Sequence, residues 1–173
     1  MAKMLLPAVS SSVSRELGNE LPALLLSLLD GRDLPSRVGK AILIATVDSQ
    51  GWVHPALLSY GEVVALDEHR LRLATYGGSR TSSNLRRSGR LTLCLIESGL
   101  AYYVKARAVE QQSAPELAGL ARFEATIEQV LADQAREDVE PSARITSGIE
   151  FETGQPESKQ LAAWAATLKA LRA

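Results

Sequence analysis

The sequence predicts a mainly β fold with flanking helices. Short apolar runs alternate with tight turns from residue 40 to residue 109, and helical leucine patterns lie on either side. Strands joined by tight turns pair as an antiparallel meander, which can close into a barrel. We therefore expect a single domain. It would consist of a lead-in and helix over 1–39, a barrel over 40–152 and a carboxyl-terminal helix over 153–173.

Composition and charge favour a soluble cytoplasmic protein. The 173 residues are 46% hydrophobic with a formal net charge of −1, which argues against a general nucleic-acid or membrane-surface binder. The amino terminus, MAKMLLPAVSSS, has too short an apolar run for a signal peptide and is expected to be a frayed lead-in. The run from Leu21 to Leu29 is shorter than the ~20 residues of a membrane span. The lone Cys94 excludes an internal disulfide and is expected to be a buried, inert thiol.

The elements are expected in a simple order. Leucines at helical spacing between Pro22 and Gly31 predict a short amphipathic helix. A helix of about two turns, closed by Gly89, is expected to interrupt the strands after residue 79. The strands are expected at 41–47, 52–59, 60–66, 70–75, 90–96 and 100–109, with the second and third read as one strand or two.

The second half of the chain is less clear. Over 115–134, Phe123, Ala125 and Ile127 alternate as in a strand, but Leu120, Phe123, Ile127, Val130 and Leu131 also fit one helix face. Both interpretations stay open. Residues 146–152 could add a short strand. Pro156 opens a helix with Leu161, Trp164, Leu168 and Leu171 on one face, which would cover the barrel or contact a second subunit.

The most informative stretch is TYGGSRTSSNLRR, from Thr75 to Arg87. It places two glycines, several hydroxyls and Arg80 where a strand turns into a short helix. A helix start has unpaired N–H groups and the positive end of the peptide dipoles, so it can hold an anion. Hydroxyls and a guanidinium suit a phosphate. The stretch therefore predicts a site for a phosphate-bearing small molecule, although Ser79 or Thr81 could simply cap the helix and Gly77-Gly78 could be a loop.

Four blocks in this order carry a resemblance to a known family. They are ATVDSQG at 45–51, SRT at 79–81 leading to Asn84-Leu85, SGRLTL at 88–93 and AYYVKARA at 101–108. Together they resemble the pyridoxamine 5′-phosphate oxidase superfamily of flavin-binding split barrels. The match covers about residues 40 to 110, which is the core of such a barrel.

The resemblance implies a six-stranded antiparallel split barrel, usually a homodimer, with FMN at the subunit interface. Its Ser-Arg turn would hold the flavin phosphate, so Ser79, Arg80 and Thr81 are the first candidates. A flavin-dependent oxidoreductase is the leading expectation, with an unidentified small-molecule substrate or electron donor and no nucleic-acid or membrane partner. The alternative is a non-catalytic module that binds or senses flavin or haem, and a deazaflavin is a further cofactor option. The cofactor-binding residues expected on these grounds are Ser59, Thr75, Ser79, Arg80, Thr81, Ser82 and Asn84.

The chain departs from the oxidases of this family. Thr81 stands where they carry a lysine, and Ala56 stands near the position of a strand arginine. Ser59, Ser82 and Arg86 could replace these cations or be ordinary surface. The oxidases also hold pyridoxal phosphate with an arginine and a histidine in the carboxyl-terminal tail, whereas the histidines here are His54 and His69. Oxidation of pyridoxamine phosphate is therefore not expected.

Other candidate residues have plain alternatives. His54 could line the flavin pocket or its rim, His69 is expected in a solvated turn, and the sequence predicts no metal site. Tyr102 and Tyr103 are neighbours on a strand, so one faces the core and the other faces out or toward a cofactor. The arginines at 80, 86, 87 and 90 form a basic cluster, but it lacks the interleaved aromatic residues of a nucleic-acid surface. No residue pair is assigned a catalytic role.

Overall fold

The computed structural model describes residues 14–97, 99–112, 115–135 and 141–173, so most of the predicted lead-in lies outside the described residues. Two single 3₁₀ turns occur at Pro35–Arg37 and Pro115–Leu117. The helices are α1 (Ala23–Leu28), α2 (Arg80–Ser88) and α3 (Glu157–Arg172). The strands are β1 (Arg15–Gly18), β2 (Lys40–Val47), β3 (Val53–Ser59), β4 (Val63–Ala65), β5 (Arg70–Tyr76), β6 (Arg90–Glu97), β7 (Leu100–Gln111), β8 (Leu120–Asp133) and β9 (Ile149–Glu150).

The strands form one curled antiparallel sheet, and the predicted split-barrel class is confirmed. Its main path runs β3-β2-β6-β7-β8-β5-β4, while β1 pairs with β8 and β9 pairs with β2. Six strands have seven residues or more, namely β2, β3, β5, β6, β7 and β8. The three short strands raise the total to nine. The strands β1 and β9 pair where β8 and β2 extend beyond their long partners, and β4 pairs with the edge of β5.

The core lies inside the curl of the sheet. Side chains of a strand alternate between its two faces, and β2 shows this clearly, with Ile42, Ile44 and Thr46 buried between less buried neighbours. The inward side chains of the other long strands meet them in one cluster. Its fully buried members include Leu71, Leu73, Leu93, Leu95, Val104, Phe123, Ala125 and Val130.

The segment around Phe123, for which the sequence allowed either a strand or a helix, is the strand β8 with one irregularity. Over β8, Phe123, Ala125 and Ile127 point inward by alternation, and the next inward residue is Val130. The register of β7 and β8 shifts between Lys105 and Ala106, where one extra residue of β8 is accommodated. This bulge creates the three-residue step from Ile127 to Val130, which imitates helical spacing in the sequence.

Two helices pack on the sheet of their own chain. The leucines of and around α1 join the main core, although α1 is shorter than the predicted helix. On α3, Leu168 and Leu171 are buried together with Val64 of β4 and Ala74 of β5. Trp164 lies so close to the β3–β4 turn that a Cβ on Gly61 would stand 2.1 Å from its ring. Among the described residues, no helix is long and apolar enough to span a membrane.

The helix α2 lies between β5 and β6 in the chain and contacts β2, β5, β6 and β7. Its Leu85 is buried in the main core. The helix ends at Gly89, as predicted, because φ is +65° there and the Gly89 N–H donates to the carbonyl of Leu85. The position of α2 brings the predicted phosphate turn to the end of β5.

Candidate functional site

The turn between β5 and α2 is closed by a serine cap. Ser79 has an extended backbone, and its Oγ accepts the N–H of Ser82 at 3.1 Å. The Ser79 N–H donates to the carbonyl of Tyr76 at 2.9 Å. Of the two residues that could cap the helix, the structure therefore uses Ser79, whereas Thr81 is buried within the first turn.

The start of α2 leaves donors unused among the described residues. The N–H groups of Arg80 and Thr81 have no acceptor there, since they precede any carbonyl partner within the helix. The guanidinium of Arg80 is exposed and makes no hydrogen bond or ion pair with a described residue. These groups lie at the positive end of the helix dipole. Their chemistry is that of an anion-binding site.

A buried hydroxyl network supports this turn from behind. Ser82 is fully buried, and its Oγ donates to the carbonyl of Tyr76 at 2.6 Å. The same oxygen lies 2.6 Å from Thr75 Oγ1 and 3.2 Å from Ser79 Oγ. A hydroxyl donates one hydrogen and accepts two, so Thr75 and Ser79 are the donors toward Ser82. The hydroxyl hydrogens of Thr75, Ser79 and Ser82 are thus all used inside the chain.

Two further predicted residues lie away from the unused donors. Asn84 is buried and donates to Thr46 Oγ1 of β2 at 3.0 Å, which ties α2 to the sheet. Ser59 pairs with Ala41, five positions along β2 from Thr46, or about 17 Å at the usual rise of a strand. Its hydroxyl donates to Glu62 at 2.9 Å. The structure therefore brings together Thr75, Ser79, Arg80, Thr81 and Ser82 and places Asn84 on the core side of α2 and Ser59 elsewhere.

The other three arginines of the basic cluster differ in whether their guanidinium groups have a partner. Arg86 forms a two-pronged ion pair with Glu110 of β7 and also donates to the carbonyl of Gly77. Arg87 donates to the carbonyl of Val47. Arg90 is exposed, and its guanidinium has no partner among the described residues, but it lies beyond the carboxyl end of α2. At the start of α2, Arg80 is thus the free cation of the described chain.

The positions that depart from the oxidases offer no substitute charge. Thr81 is only 5% exposed, and Ala56 is half-buried against the main core. No nearby free cation takes the place of the two missing charges, because Arg86 and Arg87 already bind other groups of the chain. A phosphate at this turn would therefore depend on Arg80 and on backbone N–H groups.

The remaining candidates lie outside the turn. On β7, Tyr102 faces the core while Tyr103 is half-buried on the outer face. Burial and the Asp133 carboxylate, 3.5 Å away, raise the pKa of the Tyr103 phenol. Burial also raises the pKa of the Cys94 thiol, so this cysteine is not an activated nucleophile. His69 is exposed in its turn, with a ring nitrogen 3.3 Å from the Asn19 carbonyl.

The residues that sequence reasoning missed are the partners of α2. Glu110 holds Arg86, Thr46 holds Asn84, and the Gly119 carbonyl accepts the Gly77 N–H at 2.9 Å. Each lies dozens of residues from the element it contacts. The alternation of β7 and β8 shows which face each residue occupies, but only the strand register shows that Glu110 lies beside α2.

The outer face of the sheet carries a continuous apolar row. Cross-strand pairing joins Leu57, Leu43, Cys94, Tyr103 and Leu131 across β3, β2, β6, β7 and β8. Leu57 is 54% exposed. The nearby Val53 and Trp52 are 67% and 71% exposed. An apolar row across a sheet face, with exposed apolar side chains at one end, is typical of a protein–protein contact.

Comparisons with known proteins agree with this architecture. The family model for pyridoxamine 5′-phosphate oxidase matches residues 39–170. The uncharacterized protein YclD of Bacillus subtilis is 34% identical over 148 residues, which cover 86% of this chain and 93% of the relative.

Solved structures show the same fold at low identity. A Lactobacillus delbrueckii protein, provisionally named pyridoxamine 5′-phosphate oxidase, is 18% identical, with a TM-score of 0.52 over 67% of this chain and 98% of that chain. HupZ of Group A Streptococcus is 14% identical, with a TM-score of 0.50 over 76% of this chain and 99% of that chain.

Proposed function

The chain belongs to the pyridoxamine 5′-phosphate oxidase family, and we propose that it is a flavoprotein that binds FMN through a phosphate site at the start of α2. The unpaired Arg80 is the observation that carries this proposal. The Arg80 guanidinium and the free N–H groups of Arg80 and Thr81 supply several donors around one tetrahedral anion. In the solvated state these donors bind water, which a phosphate can displace.

The proposed role of each residue at the phosphate site follows from its hydrogen bonds. Arg80 neutralises charge on the phosphate, and the N–H groups of Arg80 and Thr81 orient it. Ser79 caps the helix in this structure, and its predicted contact with the phosphate requires its hydroxyl to turn away from Ser82. Thr75 and Ser82 act from behind by holding the turn in shape, since their hydroxyl hydrogens are already used. The predicted roles of Asn84 and Ser59 remain predictions, with Asn84 fixing α2 to β2 in this structure.

We also propose an oxidoreductase activity with a small-molecule substrate. Bound FMN supplies hydride or single-electron transfer, while the protein supplies binding and orientation. We propose a substrate other than pyridoxamine phosphate, because His54 and His69 lie in the first half of the chain, away from a tail position of the kind used by the oxidases.

We propose that the apolar outer row is covered by a second copy of the chain. The row crosses five strands, with Leu57 exposed and its other four members half-buried. Replacing Leu57 with glutamate should shift the protein from dimer to monomer in light scattering, because burying an unpaired carboxylate is costly. The matched control is Leu24→Glu on α1, where the leucine is 43% exposed. A protein that is monomeric before any substitution would contradict the dimer.

The direct test of the proposal is the visible spectrum of the purified protein, before and after addition of FMN and gel filtration. We expect flavin absorption bands that elute with the protein. A protein that stays colourless after incubation with FMN would contradict flavin binding. A Soret-type band that elutes with the protein as purified would point to haem instead.

A non-catalytic flavin-binding module is the second candidate. It is favoured by the hydrogen bonds around the turn, because the Glu110 carboxylate there is held in an ion pair by Arg86. The two candidates differ in turnover. The reduced flavoprotein is mixed with electron acceptors, and reoxidation faster than that of free flavin supports the oxidoreductase. Reoxidation no faster than free flavin with every acceptor supports the module.

A further inference from the structure

We infer that Arg86 is a positioning residue for the phosphate site, holding the Gly77–Arg80 turn in its binding conformation without touching the ligand. This inference rests on the proposed function, because it concerns the same site. The sequence places Arg86 in a basic cluster and leaves it as a possible phosphate ligand. The structure instead directs every nitrogen of its guanidinium toward the protein.

The contacts of Arg86 join three separate parts of the chain. Its Nε donates to Glu110 Oε2 at 2.8 Å and one terminal nitrogen donates to Glu110 Oε1 at 2.7 Å. The other terminal nitrogen donates to the carbonyl of Gly77 at 2.8 Å. The guanidinium therefore connects α2, the barrel strand β7 and the turn that precedes Arg80.

The Gly77 peptide is held from both sides. Its carbonyl accepts from Arg86, and its N–H donates to the carbonyl of Gly119 at 2.9 Å. Gly77 and Gly78 have no side chains and would sample many backbone conformations if released. The bond from Arg86 removes that freedom at the point where the chain turns toward Ser79 and Arg80.

The anchor of this clamp is part of the sheet. Glu110 belongs to β7 and pairs in register with Phe123, a fully buried residue of β8. A planar guanidinium with a fixed fork transmits this position to Gly77 in a way that a flexible lysine ammonium does not. Arg80 follows this turn as the first residue of α2, so the position of its backbone depends on how the turn is held.

The experiment measures the affinity for FMN and for riboflavin, which lacks the phosphate, in the full-length protein. The variants are Arg86→Gln, Arg86→Lys and Glu110→Gln. The matched control is Arg107→Gln, which breaks an ion pair between Arg107 and Glu128 of similar length and exposure that does not touch the turn. Thermal unfolding of each variant reports whether the fold is retained.

We expect Arg86→Gln to weaken FMN binding about tenfold, the usual scale for a lost hydrogen bond to a charged group. Riboflavin binding and the control should be unchanged. Arg86→Lys should recover part of the affinity, since it keeps one charged donor, and Glu110→Gln should weaken FMN binding less than Arg86→Gln.

Three results would overturn the inference. If Arg86→Gln binds FMN as tightly as Arg107→Gln does, the clamp has no role in binding. If FMN and riboflavin affinities fall equally, Arg86 supports the fold in general and not the phosphate site. If the parent protein binds no FMN, the proposed function fails, and this inference fails with it.

Discussion

The two ends of α2 carry the same residue type in opposite states. At the start of the helix, the Arg80 guanidinium has no partner in the described part of the chain, and neighbouring N–H groups are also unused. In the second half, Arg86 and Arg87 donate to Glu110, Gly77 and the carbonyl of Val47. A basic cluster in a sequence is therefore not one site, because its members divide into those without a partner in the described chain and those that hold the structure.

Reversing the charge of Arg80, at the start of α2, should have the largest effect on FMN binding. Arg80→Glu should weaken FMN binding about 100-fold or more, because a charged hydrogen bond is lost and a repulsion of the phosphate is gained. The control is Arg90→Glu, an exposed arginine that is also unpaired among the described residues but lies at the other end of α2. Fluorescence titration with FMN measures both. Equal losses in the two variants would show that only the overall charge matters.

The next largest effect is expected from the buried hydroxyl network of Thr75 and Ser82 at the start of α2. Ser82→Ala leaves the buried Thr75 hydroxyl without its acceptor and removes one of the two donors to the Tyr76 carbonyl, so the free energy of unfolding should fall by about 1–3 kcal/mol. Ser83→Ala, at the exposed neighbouring position, should change it by less than about 0.5 kcal/mol. Urea unfolding compares the two. If both variants are as stable as the parent, the network does not hold the turn.

A substitution at Gly89, where α2 ends, should strain the backbone. In Gly89→Ala the new residue must keep φ near +65°, and its Cβ would stand 2.9 Å from the carbonyl oxygen of Ala108. We expect a loss of about 1–2 kcal/mol, the usual cost of a left-handed conformation. Gly154 has open space and no positive φ, so Gly154→Ala is the control. A Gly89→Ala protein that unfolds at the parent's denaturant concentration would refute the strain.

The Arg86–Glu110 pair should produce the smallest effect, visible as a pH dependence. The hydrogen bond from Arg86 lowers the pKa of Glu110. The pair therefore stabilises the fold above the ordinary pKa of a glutamate, about 4.3, and this contribution disappears as the pH falls through the lower folded-state value. The stability difference between the parent and Glu110→Gln should shrink over that acidic range. A difference that grows as the pH falls would have the wrong sign.

Much of the fold could be predicted because it depends on local pattern. Alternation along β2 and the cap signals at Ser79 and Gly89 are local and were found where expected. The strand β1 was missed, since its RELG sequence has one apolar side chain and its stability comes from pairing with β8. The bulge near Ile127 was equally invisible, because it depends on the register between two strands.

The site could be predicted only in part for a similar reason. The free donors at Arg80 follow from the chemistry of any helix start, so the local sequence indicates them. Glu110, which holds Arg86, and Val47, which holds Arg87, lie 24 and 40 residues away from them along the chain. Such contacts are set by tertiary packing, and the sequence alone could not separate the free arginine from the engaged ones.

The central claim is that Arg80 and the unused N–H groups at the start of α2 recognise the phosphate of FMN. The most direct measurement is the ratio of FMN to riboflavin affinity in the parent and in Arg80→Ala. We predict that the parent prefers FMN by a factor of roughly 10–100 and that Arg80→Ala loses most of this preference while still binding riboflavin as before. A preference for FMN that survives in Arg80→Ala would contradict the account and place the phosphate elsewhere.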